Sequence, residues 1–183
     1  MKKGKVIVIV IGGNKRAGKS TLSRKLQTEA GFNYYNMDHL TNCCDDAWFP
    51  EGLTLLDYFK FMESMIKYAV LDAERFGINS VFEFIYTPEV LNNLSCKDKV
   101  EIIYLADLDL NESNFKDVLI EYSKPYEYSA NEADVERNKP IILGLNERLI
   151  KECKEYNARL VNTSFGENRD KVINELYNEI VNN

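Results

Sequence analysis

Two glycines five residues apart, followed directly by Lys-Ser, constrain the fold of this chain more than any other feature of its sequence. The segment Gly13–Ser20 matches G-x-x-x-x-G-K-[ST] in full and follows a β-branched run, Lys5–Ile11. Glycine lets the backbone curl until successive N–H groups face one centre, and the helix that begins there adds the positive end of its dipole. The segment, named here the phosphate loop, is therefore predicted to bind a phosphate chain.

The residue types inside the phosphate loop indicate a nucleoside triphosphate with its metal. Lys19 supplies a charge that reaches the β- and γ-phosphates, and the Ser20 hydroxyl is suited to the shell of Mg²⁺. We expect Lys19 to be an exposed loop residue, and we leave open whether Arg16 reaches phosphate or is solvated. ATP and Mg²⁺ are the predicted cofactors. The predicted nucleotide contacts are Gly13, Asn14, Lys15, Arg16, Ala17, Gly18, Lys19, Ser20 and Thr21.

Strand and helix patterns alternate along the chain. Apolar, β-branched runs predict strands at Lys5–Ile11, Phe32–Met37, Ile78–Phe84, Val100–Ala106 and Arg159–Asn162. Helical periodicity predicts helices at Lys19–Ala30, Leu55–Phe76 and Ile141–Tyr156, and a last one after Ser164. This alternation predicts an α/β fold of three layers, with a five-stranded parallel sheet covered on both faces. We expect one domain over 1–183, with 107–140 as a lid-like insertion.

Composition narrows the possible partners. The chain has 183 residues, 45% of them hydrophobic, and a formal net charge of −6. A negative chain is a poor binder of nucleic acid or anionic lipid, so neither is expected. The apolar run Val6–Ile11 is too short for a membrane span or a signal-peptide core, and we expect a cytoplasmic protein. The four cysteines form no metal-binding pattern, and the oligomeric state stays open.

Carboxylates stand where two predicted strands end. Asp38 follows the second strand and Glu83 ends the third, between Phe82 and Phe84. Ligands of parallel α/β sheets bind at this edge, and a kinase needs one carboxylate for its acceptor hydroxyl and another for the metal. Asp38 and Glu83 can fill these roles if the second and third strands flank the first. Asp38 is alternatively a turn or cap residue. Burying the Glu83 carboxylate among such apolar neighbours costs free energy unless the carboxylate is paired or binds a metal.

With these residues assembled, the chain resembles the P-loop kinases of nucleosides, nucleotides and other small molecules, and within them the uridine kinase type. The resemblance implies that Asp38 is the general base and that Ser20 and Glu83 bind magnesium. It places the adenine near Asn162-Thr163-Ser164. Arg137 is the only arginine of segment 107–140, so it is the candidate for the family's phosphoryl clamp.

The resemblance favours an ATP-dependent kinase that phosphorylates a hydroxyl of a nucleoside or another small metabolite, with Lys19, Asp38 and Arg137 as catalytic residues. Segment 107–140 has nine acidic and four basic side chains, which supports an alternative: a nucleotide-binding regulator with little phosphoryl transfer. A ligase or cofactor-forming enzyme of the same fold also stays open. The late chain has no N-K-x-D stretch, which disfavours a GTPase.

The acceptor is expected to bind in the region after Asp38, where the sequence is rich in aromatic and acidic residues. The candidates there are Asp45, Asp46, Trp48 and Phe49, with packing as the alternative for Trp48. Three tyrosines of the lid-like segment are candidates for base contacts or for a hinge, namely Tyr122, Tyr126 and Tyr128.

Overall fold

The computed structural model of the protein describes residues 7–40, 43, 54–85, 87–118, 132–164 and 167–182. The elements in chain order are β1 (Val8–Gly13), α1 (Lys19–Ala30), β2 (Asn33–Asn36), α2 (Leu55–Phe76), β3 (Ser80–Glu83), α3 (Pro88–Leu91), β4 (Glu101–Ala106), α4 (Glu132–Glu155), β5 (Leu160–Asn162) and α5 (Glu167–Asn182). The backbone is also helical at 37–40 and 115–118. Within these ranges, no helix has both the length and the apolar character that crossing a membrane requires.

All five strands are parallel and form one sheet in the order β2-β3-β1-β4-β5. The register pairs Ile11 with Glu83 on one side of β1 and Gly13 with Leu105 on the other. The loop after β1 therefore leaves the sheet between the ends of β3 and β4. The chain changes direction across the sheet at this point, which is where open α/β sheets bind their ligands.

Two apolar layers cover the two faces of the sheet. One layer joins α1 and α5 to the sheet through Ile11, Leu22, Leu105 and Ile173. The other joins α2 and α4 to the opposite face through Val10, Ile66, Phe82 and Leu149. Strands buried on both faces need continuous apolar runs, which is the pattern that the sequence carries. The predicted three-layer α/β fold with a five-stranded parallel sheet is confirmed.

The bounds of α2 follow from its termini. The Thr54 side chain accepts a hydrogen bond from the Asp57 backbone N–H, and Asp57 accepts one from the Thr54 backbone, so a capping box begins the helix. Gly77 ends it with a φ of 72°, in the left-handed region that glycine adopts without strain. The predicted helix Leu55–Phe76 is confirmed at both ends.

Helix α4 begins earlier than the sequence predicts. The prediction started it at Ile141, but it starts at Glu132 and carries Pro140 in its interior. A proline removes one backbone hydrogen bond and usually marks a helix boundary. Here Ile142 packs against Phe115, and such tertiary contacts outweigh local propensity. The last part of segment 107–140 is therefore continuous with a helix of the domain.

Candidate active site

The backbone of the phosphate loop has the curl that its glycines predict. Gly13 has a φ of 135° and Gly18 a φ of 90°, and Arg16 between them has a φ of 65°. The Ala17 N–H donates to the Asn14 carbonyl at 3.4 Å, which closes a turn ahead of α1. Successive N–H groups in such a turn form a concave site for an anion.

Gly13 is required for a second reason. A β-carbon built on it would lie 2.1 Å from the backbone oxygen of Leu105 in the neighbouring strand. The Asn14 N–H donates to that same oxygen at 3.2 Å. The phosphate loop is thus anchored to β4 at a point where only glycine fits.

Lys19 is buried, with 6% of its surface exposed, so the expectation of an exposed lysine is wrong. Its Nζ donates to the Asn14 carbonyl at 2.8 Å, which folds the side chain back over the phosphate loop. Burial lowers the pKa of Lys19, and the nearby charges of Glu83 and Asp38 act in the opposite direction. The cation is therefore held close to the two carboxylates that the sequence singled out.

Ser20 and Glu83 are in direct contact on one side of the phosphate loop. The Ser20 hydroxyl donates to Glu83 Oε1 at 2.6 Å, and the Tyr34 hydroxyl donates to Glu83 Oε2. Asn36 in turn donates its side-chain Nδ2 to the Tyr34 oxygen at 3.3 Å. These four residues, Ser20, Glu83, Tyr34 and Asn36, are named here the carboxylate flank. The hydroxyl groups of Ser20 and Tyr34 supply the hydrogen bonds that the Glu83 carboxylate needs, because Glu83 is only 7% exposed.

Tyr34 is a site residue that the sequence reasoning missed. Burial, followed by its hydrogen bond to Glu83, raises the pKa of the Tyr34 hydroxyl, so the group stays protonated and acts as the donor. Strand alternation places Tyr34 and Asn36 on the same side of β2, and Asn36 lies opposite Glu83 in the register. That alternation was readable in advance. The strand order was not: β3 and β4 flank β1, so the expectation that the second strand also flanks the first is wrong, and β2 pairs with β3 instead.

Asp38 lies in the helical stretch 37–40 directly after β2. Its residue surface is exposed, yet the protein atoms around the carboxyl are dense enough that desolvation raises its pKa. Lys19 lowers that pKa and Glu83 raises it, so the three charges lie within electrostatic reach of one another. A raised pKa moves a carboxylate towards the range in which a general base works well.

Asn14, an unspecified position of the motif, is buried on the other side of the phosphate loop. Its Nδ2 donates to the Ile142 carbonyl at 3.0 Å and to Asn146 Oδ1 at 3.3 Å. Asn146 Nδ2 donates to the Asp107 carbonyl at 2.8 Å. These contacts of Asn14, Asn146, Ile142 and Asp107 are named here the amide flank. They join the phosphate loop to α4 and to the end of β4.

The remaining predicted site residues belong to neither flank. Thr21 and Arg137 are exposed, Arg137 in the first half of α4, and the clamp role of Arg137 stays a prediction. Asn162 braces the backbone, because its Oδ1 accepts from the Leu108 N–H and the Ser164 N–H, both at 3.1 Å. The acceptor candidates 45–49 and the tyrosines at 122, 126 and 128 lie outside the described residues.

The donor set of the carboxylate flank fits a hard cation. Magnesium prefers oxygen ligands and takes only one or two from the protein when phosphates supply others. The touching Ser20 hydroxyl and Glu83 carboxylate meet that requirement at the mouth of the phosphate loop. Within the described residues, this flank included, no group of three or more His, Cys, Asp or Glu side chains could hold a metal, so the protein would supply few of the ligands.

The parallel sheet, with the phosphate loop leaving the end of β1 between β3 and β4, is the fold of P-loop nucleotide-binding proteins, and solved kinases share it. A shikimate kinase from Bacteroides thetaiotaomicron has a TM-score of 0.60 and 13% identity, and the match covers 97% of this chain and 99% of that one. A gluconokinase from Sinorhizobium meliloti has a TM-score of 0.58 and 15% identity, over 97% of this chain and 95% of that one.

A sugar kinase from Janibacter is similar in the same way, with a TM-score of 0.58, 13% identity, and coverage of 93% of this chain and 92% of that one. No protein-family model and no curated protein matches the sequence. At these identities the likeness shows the fold and no more.

Proposed function

We propose that the protein is an ATP-dependent kinase that transfers the γ-phosphoryl group of Mg-ATP to a hydroxyl of a small metabolite. The observation that carries this proposal is made at one edge of the sheet: Ser20 of the phosphate loop donates to Glu83 at 2.6 Å, and Lys19, Asp38 and Glu83 lie within electrostatic reach of one another. Phosphoryl transfer needs a cation for the transferred group, a carboxylate for the metal and another for the acceptor.

Each residue has a distinct part in the proposed reaction. The N–H groups of the phosphate loop and Lys19 bind the phosphates and neutralise part of their charge. Ser20 and Glu83 would hold Mg²⁺, which would shield the remaining charge on the β- and γ-phosphates. Asp38 orients the acceptor hydroxyl and accepts its proton as the oxygen attacks phosphorus.

The acceptor class is narrowed by analogy and by charge. The similar structures are named for shikimate, gluconate and sugar, all small molecules that carry hydroxyl groups. Segment 107–140, with nine acidic and four basic side chains, makes a nucleoside monophosphate a poor acceptor. We therefore favour a hydroxylated metabolite without a phosphate group as the acceptor. Nucleosides, the acceptors that a resemblance to uridine kinases implies, belong to that class.

The proposal is tested in two stages. Hydroxylated metabolites are screened with ATP and Mg²⁺ for ADP release above the background without acceptor. Asp38→Asn should then lower turnover of the accepted compound by about 10²–10⁴-fold, the usual contribution of a general base. ATP affinity should stay nearly unchanged, because the base acts after nucleotide binding. Asp72→Asn, on an exposed position of α2, is the matched control and should leave turnover as it is.

A second function, nucleotide binding with little phosphoryl transfer, is favoured by the single arginine of segment 107–140. The same experiment separates the two. ATP binding with no acceptor in the screen, or unchanged turnover in Asp38→Asn, would replace the kinase with a binding or regulatory protein.

A further inference from the structure

A continuous chain of hydrogen bonds runs from the phosphate loop to the stretch that carries Asp38. Ser20 donates to one oxygen of Glu83 at 2.6 Å, and Tyr34 donates to the other. Asn36 donates to the Tyr34 oxygen at 3.3 Å. The Oδ1 of Asn36 then accepts from the His39 backbone N–H at 3.0 Å, which caps the helical stretch 37–40. Tyr34 is the middle link of this chain.

The position of Tyr34 limits the rotation of the Glu83 carboxylate. Glu83 is the last residue of β3 and is buried, so its orientation depends on its hydrogen-bond partners. With Oε2 held by the tyrosine, Oε1 is directed to Ser20, the side where the loop would present the metal. Partners that orient a metal ligand are often worth about 10–100-fold in metal affinity.

We propose that Tyr34 is a positioning residue, which fixes the metal-binding carboxylate of Glu83 relative to Ser20 and to the helical stretch that bears Asp38. It touches neither the nucleotide nor the acceptor in this role, and acts through Glu83 and Asn36. The inference rests on the proposed function, because it needs magnesium to enter with ATP. It assigns a role to a tyrosine that the phosphate-loop motif does not include.

The next residue along the strand provides a matched control. Tyr35 points to the other face of β2, where its ring stacks on Phe82 with centroids 4.8 Å apart. Both tyrosines belong to the same edge strand, and Phe replaces either ring without changing its shape. Only Tyr34→Phe removes a hydroxyl that contacts Glu83.

The experiment measures ATP binding by isothermal titration, once with excess Mg²⁺ and once with a chelator. The readout is the Kd measured with the chelator divided by the Kd measured with Mg²⁺. This ratio reports how much magnesium strengthens binding, and measuring it requires no turnover. Tyr34→Phe should reduce that ratio about tenfold, and leave the affinity without magnesium nearly unchanged. Tyr35→Phe should leave the ratio at the wild-type value. Circular dichroism and Tm confirm that both variants fold.

A double-mutant cycle with Glu83→Gln tests whether Tyr34 acts through the carboxylate. Tyr34→Phe should have no further effect on the ratio once Glu83 is an amide. Suppose that magnesium strengthens ATP binding in wild type and that Tyr34→Phe has the same ratio of Kd values. The tyrosine is then structural, whether or not the Tm falls, and only this inference is wrong. If magnesium does not strengthen ATP binding in wild type, the proposed function and this inference fall together.

Discussion

Each flank of the phosphate loop is hydrogen-bonded around one buried polar side chain, yet the groups that make those bonds differ in charge. The carboxylate flank is built around the ionisable side chain of Glu83, whose partners are hydroxyl groups. The hydrogen bonds of the amide flank are made by neutral side-chain amides and backbone carbonyls, with Asn14 at its centre, and Asp107 takes part through its backbone carbonyl. The bonds on one side of the loop therefore end on a carboxylate that a cation would attract, and the bonds on the other side join only neutral groups.

The different groups on its two sides explain how a single loop can be both held in place and open to a metal ion. A buried carboxylate is costly without partners, and hydroxyl groups are partners that can also turn towards a metal. Amide-to-carbonyl bonds gain nothing from an arriving charge and are expensive to leave unmade. We therefore expect substitutions in the carboxylate flank to alter metal-dependent binding, and substitutions in the amide flank to alter the free energy of unfolding.

Among the tests of this comparison between the flanks, the largest effect is expected at Lys19, which lies between them. Lys19→Ala should weaken Mg-ATP binding about 10–150-fold, the loss that corresponds to a charge-assisted hydrogen bond of roughly 1.5–3 kcal/mol. Titration calorimetry measures it. Lys171→Ala, which removes an exposed cation of α5, should bind ATP like wild type. Equal affinities in Lys19→Ala and wild type would contradict the phosphate-loop assignment.

Lys19 also makes a prediction about pH. Burial holds its folded-state pKa below the ordinary value of 10.5, so between the two values the folded protein binds fewer protons than the unfolded chain. The free energy of unfolding of the nucleotide-free protein should therefore rise with pH in that range through this group. Lys19→Ala removes the cost of burying this charge. The Tm of the variant minus that of wild type should therefore be most positive at lower pH and should decrease towards pH 10.5.

The next effect, on stability, is expected at Asn146 in the amide flank. Asn146→Ala removes the donor to the Asp107 carbonyl and the acceptor of Asn14. We expect a loss of about 1–3 kcal/mol, measured by denaturant unfolding, with the ratio of ATP affinities with and without magnesium unchanged. Asn174→Ala, an exposed helix amide that contacts Lys25, is the control and should lose far less. A changed ratio in Asn146→Ala would contradict the assignment of magnesium dependence to the carboxylate flank.

Much of the fold and part of the candidate site could be predicted from sequence. The phosphate loop is a local backbone conformation that glycine spacing specifies, and the strands are apolar runs that parallel sheets require. Asp38 and Glu83 could be found because they stand at strand ends. The contacts of Asn14 and Tyr34 could not, since they depend on where α4 crosses the loop and on the pairing of β2 with β3. Strand order is a long-range property that local pattern does not encode.

The smallest effect is expected at Gly144, which lies on α4 between the two residues of that helix that contact Asn14. A β-carbon there would meet nothing within 4 Å. In a helix interior, alanine is more favourable than glycine by about 1 kcal/mol. Gly144→Ala should therefore raise the free energy of unfolding by roughly 0.5–1 kcal/mol, or about 1–4 °C in Tm. Gly31→Ala is a matched control, since a β-carbon there is equally unobstructed but φ is +72°, so the strain should lower Tm. If the amide flank only holds the loop to the fold, Gly144→Ala should bind ATP with wild-type affinity. An altered ATP affinity in this variant would mean that the state of α4 is linked to the nucleotide, and that both flanks take part in binding.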